Sequence, residues 1–288
     1  MDSAVPLRYG QYMPPSLHVH FSQVGHHYPK GTCSIDYRIR AQFLIEGNCL
    51  AEESRPFRLL TSSERQPPLC TEDYPGEYKL SSYKTLRSPF YQPAGRLLVN
   101  SLEPPPLALF PGKKGATTSV RLHFKYRSPK DDCSMRLSPP RFYGIARSYL
   151  QATTFISTEP QRRSPATCDA LTSPFTIKAH RAYASQIRKL CFGVWAPLET
   201  ATGTIWESEA DLVVMCDNPE YLSPSFSSLL VSRRYSLKLH MVVSGTGHAA
   251  LKLELPIQIL YTGERYMHLE QAMYWARSLE NIPPAYTP

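Results

Sequence analysis

A period of two restricts this chain more than any other feature. In residues 33–43, "CSIDYRIRAQF", the apolar residues Ile35, Tyr37, Ile39, Ala41 and Phe43 alternate with Asp36, Arg38, Arg40 and Gln42. Such spacing gives a β-strand one buried and one wet face. "TSVRLHFKY" repeats it, with Val120, Leu122, Phe124 and Tyr126 set against Arg121, His123 and Lys125. "RRYSLKLHMVV" sets Tyr235, Leu237, Leu239 and Met241 against Ser236, Lys238 and His240. "LKLELPIQI" places Leu251, Leu253, Leu255, Ile257 and Ile259 on one side. Pro256 falls on the other side and removes one amide, which suits a sheet edge or a bulge. Weaker strand patterns lie at 16–21, 54–60, 78–84, 95–100, 145–156, 187–195 and 210–216. "SGTGH" before Ala249 reads as a hairpin loop.

Many short strands punctuated by proline predict an all-β protein, a β-sandwich. Prolines number 27 and glycines only 14, which counts against long helices. One helix is expected, in "ERYMHLEQAMYWARSLEN". Leu269, Ala272, Met273, Ala276 and Leu279 recur there at helical spacing, and its polar face mixes Glu270 and Glu280 with Arg277. A helix packed on the sandwich fits that face better than a basic membrane-surface helix. Residues 61–77 read as a polar linker, and 128–140 and 157–174 as long loops.

At 288 residues, with 42% hydrophobic and 11% aromatic content, the chain can build a substantial core. Net charge is +8, but the basic residues are scattered, so a solvated basic surface fits better than a nucleic-acid patch. The seven cysteines are odd in number, widely spaced and without Cys-x-x-Cys, which argues for reduced, partly buried thiols rather than disulfides or a zinc ribbon. The sequence contains no Asn-x-Ser/Thr acceptor and no secretory pattern at its start, which points to an intracellular home. Apolar runs such as "LVVMC" are too short to span a bilayer, so membrane contact would be peripheral.

Sequence motifs for phosphate loops, His-Glu-x-x-His zinc sites and Gly-x-Ser-x-Gly nucleophiles are absent. "HVH" puts His18 and His20 on one strand face, with Cys33 near in sequence. A metal- or cysteine-dependent hydrolase would have to rest on that grouping. A pair of strand histidines explains it more simply, and neither a cofactor nor a metal is expected. "DNPEY" from Asp217 onward reads as turn chemistry.

"YLSPSFSSLLVSRRYSLKLHMVVSG", followed by "LKLELPIQI", is similar to the end of the C-terminal domain of arrestin-like proteins, especially the fungal kind. The family pattern is a Pro-Ser-Phe turn, a long strand of the form Arg-x-Tyr-x-Leu-x-Leu, a hairpin, and a last strand ending Leu-Pro-Ile. Here these are Pro224-Ser225-Phe226, the stretch from Arg233 to Leu239, and Leu255-Pro256-Ile257. "MPPSL", "CSIDYRIRAQF" and "RPFRLL" resemble the closing hairpin of the N-terminal domain, and "LLVNSLEPPPLAL" resembles the opening of the C-terminal one.

The resemblance implies an immunoglobulin-like β-sandwich of the arrestin type with a short C-terminal helix. Residues 1–65 would be the last strands of an N-terminal domain, 75–262 the C-terminal sandwich, and 263–288 a helix and proline-rich tail. Such a remnant of two or three strands is expected to expose an edge and an apolar face, or to pack on the sandwich. The family's phosphate-sensing residues are not carried over.

The implied function is a non-enzymatic cytoplasmic adaptor, peripheral to the plasma membrane or endosomes, that does not act on nucleic acid. It would link the cytosolic tails of membrane transporters or receptors to a WW-domain HECT-type ubiquitin ligase for endocytosis or sorting. In the family a Pro-Pro-x-Tyr motif recruits the ligase, and Pro283, Pro284 and Tyr286 in "NIPPAYTP" match it. A polyproline segment loses little entropy on docking in an aromatic groove, and the tyrosine adds buried area and a hydroxyl. Composition alone would give about 0.16 such motifs in a chain of this make-up. "PPRFY" at 139–143 has the wrong spacing and leads into a strand. The alternative is an arrestin-fold scaffold or signalling module that recruits no ligase, with the tail inert.

Overall fold

Alternating sequence becomes strand throughout the computed structural model, which describes residues 13–21, 31–60, 69, 71–87, 93–110, 113–128, 140–171, 175–182, 186–200, 203–217, 222–245 and 247–261. The chain begins with β1 (Leu17–Phe21), β2 (Gly31–Ile35), β3 (Tyr37–Ile45) and β4 (Asn48–Phe57). A 3-10 helix at Thr71–Asp73 precedes β5 (Ser81–Arg87), β6 (Pro93–Asn100), β7 (Leu107–Leu109), β8 (Ala116–Arg127) and β9 (Phe142–Ser157). A second, Thr167–Leu171, precedes β10 (Phe175–Arg181), β11 (Gln186–Leu190), β12 (Ala196–Thr200) and β13 (Gly203–Cys216). The last strands are β14 (Phe226–Ser227), β15 (Val231–Gly245), β16 (Ala249–Ile257) and β17 (Ile259–Tyr261). Among the described residues the chain is all-β. The expected C-terminal helix lies outside them.

Two antiparallel sheets enclose one core. In the first, β15 lies between β9 and β16, with β14 beside its start and both β10 and β11 along the far edge of β9. The second runs β12-β13-β8-β6-β5. Leu122 and Phe124 from the second sheet and Leu237, Leu239 and Leu255 from the first are fully buried in the same cluster. Each such side chain contributes about 1.5–3 kcal/mol on leaving water. Paired backbone bonds between Lys79 and Glu254, at 2.8 and 3.0 Å, join the two sheets where β5 approaches β16. The edge position of β16 accommodates Pro256, opposite Ser236, as its missing amide requires.

The apolar faces of the three patterns from 118 onward are buried throughout. Val120, Leu122, Phe124 and Tyr126 are buried, and the intervening residues of β8 meet acidic partners directly opposite on β13. Lys125 lies 2.7 Å from Glu207, His123 lies 3.0 Å from Glu209, and Arg121 lies 3.4 Å from Asp211. This ladder favours the register, because a one-residue slip would bury the charges. On the first sheet Arg147, His240 and Lys252 stand in one cross-strand row. Burial, and then the positive charges of Lys252, Arg147 and Lys238, hold the His240 imidazole below its ordinary range. At the end of β15, Gly245 has φ of 137°, and a Cβ there would sit 1.9 Å from the Arg141 carbonyl oxygen, so only glycine fits.

Four of the described strands escaped the sequence reading: β7, β10, β12 and the two-residue β14. The pattern at 187–195 ends earlier as strand, at Leu190. The expected linker also needs correction at its end. Glu77 is half-buried, its side chain only 9% exposed, and accepts two hydrogen bonds, 2.8 and 2.9 Å, from Arg234 of β15. Arg234 is 3% exposed and lies between the rings of Tyr74 and Phe155, 4.1 and 4.3 Å from their centroids. It also donates to the Pro165 carbonyl at 2.6 Å and to Ser164 at 3.0 Å. Thr167 donates its backbone N–H to Glu77. One guanidinium thus fastens both the 71–80 segment and the 161–171 loop to the outer face of β15.

The largest correction concerns β3. Its apolar face is not buried. Ile39 is 64% exposed and Phe43 60%, and every residue of β4 is exposed. The hairpin is well formed: Glu46 and Gly47 both take positive φ, 47° and 82°, in the two-residue turn that suits right-handed strand twist. It simply lacks a covering layer among the described residues. The cysteines depart from expectation in part. Cys216 is buried and Cys33 half-buried, whereas Cys49, Cys168 and Cys191 are exposed free thiols.

Removing the Glu77 carboxylate strands a buried cation. Glu77→Ala is expected to cost about 3–5 kcal/mol in urea unfolding, against less than about 1 kcal/mol for Asp211→Asn on the exposed ladder. A second prediction concerns Glu103, 9% exposed between β6 and β7, which accepts the Leu69 amide. Burial pushes its carboxyl up to about 7, against the opposing pull of that amide. Because the folded value exceeds the unfolded one, its contribution to stability is complete below about pH 4.5 and is lost as pH rises through 7. Melting temperatures between pH 5 and 8 should therefore fall less steeply in Glu103→Gln than in the unsubstituted chain.

Candidate functional site

Strand β1 ties the N-terminal strands to the sandwich. Leu17 and Val19 are each 5% exposed and pack on fully buried Phe226, flanked by Ile35 and Val231. Their alternation with exposed His18 and His20 made this face readable in sequence. The Ser16 amide donates to the Leu59 carbonyl at 2.8 Å, and the Leu59 amide donates to Ser16 Oγ at 2.9 Å. The Tyr37 hydroxyl donates to the Pro14 carbonyl at 2.6 Å. The base of the β3–β4 hairpin is thereby held beside β1.

These contacts frame an open cavity of about 560 Å³ between the N-terminal strands and the sandwich. Leu17, Asp36, Phe57, Arg58, Ser223 and Arg233 line it. Arg233 is 5% exposed and opposite Phe226 and Thr154 in the sheet. Its Nε donates to the Tyr235 hydroxyl at 2.8 Å, and a terminal nitrogen donates to Thr154 Oγ1 at 3.0 Å. The Tyr235 hydroxyl in turn donates to the Ser223 carbonyl at 2.6 Å. Burial raises the Tyr235 phenol, and the charge and hydrogen bond of Arg233 work against that rise. The net direction keeps the phenol protonated, as its donation to Ser223 requires. The cavity therefore offers a fixed guanidinium, a carboxylate and an apolar wall.

The histidine grouping resolves differently. His18 and His20 share a face, their Nε2 atoms 3.0 Å apart, and His20 Nδ1 lies 3.0 Å from Thr32 Oγ1. Cys33 pairs with Val19, so its side chain is on the other face of this two-stranded sheet. The structure does not bring His18, His20 and Cys33 together. Among the described residues no group of three or more His, Cys, Asp or Glu side chains could hold a metal ion. Pro283, Pro284 and Tyr286 lie outside the described residues. Tyr143, of the second proline-rich stretch, is an exposed residue of β9.

Sequence reasoning missed Arg233 and Arg234, counting them among scattered basic residues. The available signal was two consecutive arginines inside a strand whose alternation must send one of them inward.

Fold and cavity define an all-β protein of two packed antiparallel sheets, with a two-hairpin N-terminal part fastened at one end. No family model and no curated protein matches the chain. Among the described residues no helix is long and apolar enough to cross a membrane.

The fastening can be tested directly. Leu17→Ser with Val19→Ser should speed limited proteolysis within 13–60 by roughly tenfold, while the melting of the sandwich stays unchanged. Equal cleavage rates would show that the two side chains do not hold the N-terminal strands.

Proposed function

We propose that this protein is a non-enzymatic adaptor of arrestin type that links membrane-protein cargo to a WW-domain HECT-type ubiquitin ligase. The observation that carries the reading is Pro283-Pro284-Ala285-Tyr286, placed after the strand pattern that resembles the end of an arrestin-like C-terminal domain. The two-sheet architecture supports it, since the resembling residues are a paired unit: Tyr235 stands opposite Ile257 and Leu237 opposite Leu255. Pro224, Ser225 and Phe226 are buried where they lead into β14, and the Ser225 amide donates to the Ile259 carbonyl at 2.9 Å. The adaptor works in the cytoplasm, peripheral to the plasma membrane or endosomes. Its sandwich presents the cargo's cytosolic tail, and its proline-tyrosine segment presents the ligase.

A proline pair, whose rings restrict its backbone, enters an aromatic groove at little entropic cost, and Tyr286 would supply the buried aromatic anchor. Titration of the full chain with an isolated WW domain should show binding that Tyr286→Ala weakens at least about tenfold. Equal affinity of both chains, or none in either, would refute the ligase-docking reading.

A further inference from the structure

We propose that the uncovered apolar face of the β3–β4 hairpin is the docking site of the chain's own segment 264–281. This inference is independent of the adaptor reading. Tyr37, Ile39, Ala41 and Phe43 of β3 share one face with Phe57 and Ala51 of β4, as the register Tyr37↔Phe57 and Phe43↔Ala51 requires. The rings of Tyr37 and Phe57 lie 5.7 Å apart at the base of that face. A two-stranded ribbon with one apolar face is marginal in water by itself, so the face calls for a partner layer.

The segment beyond Tyr261 has the matching chemistry. Leu269, Ala272, Met273, Ala276 and Leu279 form a stripe at helical spacing. In helical form the stripe would extend about 15 Å. The face from Tyr37 to Phe43 extends about 20 Å. The charged residues on this face, Glu53 and Arg55, pair with one another at 2.6 Å and leave the aromatic and aliphatic residues as the contact.

Position decides between this segment and a second copy of the chain. The Tyr261 hydroxyl donates to the Leu222 carbonyl at 2.9 Å, and the next residue, Ser223, lines the cavity whose wall includes Phe57. The Tyr261 side chain and the width of the cavity therefore separate the last described strand from Phe57, at the base of the apolar face. Leu269 is eight residues further on, a reach of up to about 27 Å. A tether this short gives a local concentration on the order of millimolar, well above that of a second copy at micromolar protein.

Amide hydrogen exchange on the full chain tests the proposal. The double variant Leu269→Asp, Met273→Asp should speed exchange in β3 and β4 roughly tenfold and leave the amides of β8 and β15 unchanged. Reciprocally, Ile39→Asp with Phe43→Asp should speed exchange within 264–281 by a similar factor. Sedimentation of the unsubstituted chain should show no concentration-dependent association. Hairpin exchange that ignores the stripe variants would overturn the proposal. So would hairpin protection that rises with protein concentration, which would assign the face to a second copy.

Discussion

The first half of strand β15 is covered on both faces, and the guanidinium of Arg234 makes the second covering workable. On the inner side Tyr235, Leu237, Leu239 and Met241 fill the core. On the outer side Ser232, Arg234 and Ser236 are buried as well, which alternation alone would have left to solvent. A charge removed from water costs several kcal/mol unless its partners replace the lost hydration. Here Glu77 supplies the opposite charge, Pro165 and Ser164 supply acceptors, and Tyr74 and Phe155 sandwich the cation. The segments before β5 and after β9, distant in sequence, are thereby fixed to the same strand. Glu77 lies just before the backbone bonds between Lys79 and Glu254 that join the sheets, so the ion pair also sets the entry of the chain into the second sheet.

Two of the hairpins show what such covering contributes. β15–β16 and β3–β4 both alternate, and both have well-formed antiparallel registers. Leu251, Leu253 and Leu255 are nonetheless at most 2% exposed, while Ile39 and Phe43 stand in solvent. Backbone hydrogen bonding is common to the two and does not account for the difference. A strand in a sheet is stabilised chiefly by what packs on its face, so local pattern alone leaves β3 with the shape of a core strand and without its core.

That contrast explains which parts of the fold were legible in sequence. Alternation identified β8, β15 and β16 because each has one continuous apolar face, and on β8 the ladder from Arg121 to Lys125 keeps the polar face wet. It failed to foresee the exposure of Ile39 and Phe43, since a period of two says which side chains share a face and nothing about what lies opposite. β12 escaped because "APLET" lacks sustained alternation, whereas "FTIKAHR" of β10 does alternate, Phe175, Ile177 and Ala179 against Thr176, Lys178 and His180, and was overlooked beside the expected 157–174 loop. The cavity was illegible for another reason. Its walls come from Leu17, Asp36, Phe57, Ser223 and Arg233, and only the docking of β1 on Phe226 brings those distant positions together.

The same docking sets the order in which the structure opens. Between β1 and the sandwich the apolar contact is Leu17 and Val19 on Phe226, with Ile35 and Val231 alongside. At about 1.5–3 kcal/mol per buried side chain, this contact contributes a few kcal/mol, far less than the core between the sheets. Regions with few buried apolar contacts open at lower free energy than the whole. The N-terminal strands should therefore separate from the sandwich before the sheets separate from each other. When they do, Arg233 loses the wall formed by Leu17 and Asp36 while keeping its bonds to Tyr235 and Thr154, because those residues belong to the sandwich. The guanidinium is thus held in place by one part of the molecule and shielded by another, so its exposure follows the position of β1 rather than the integrity of the core.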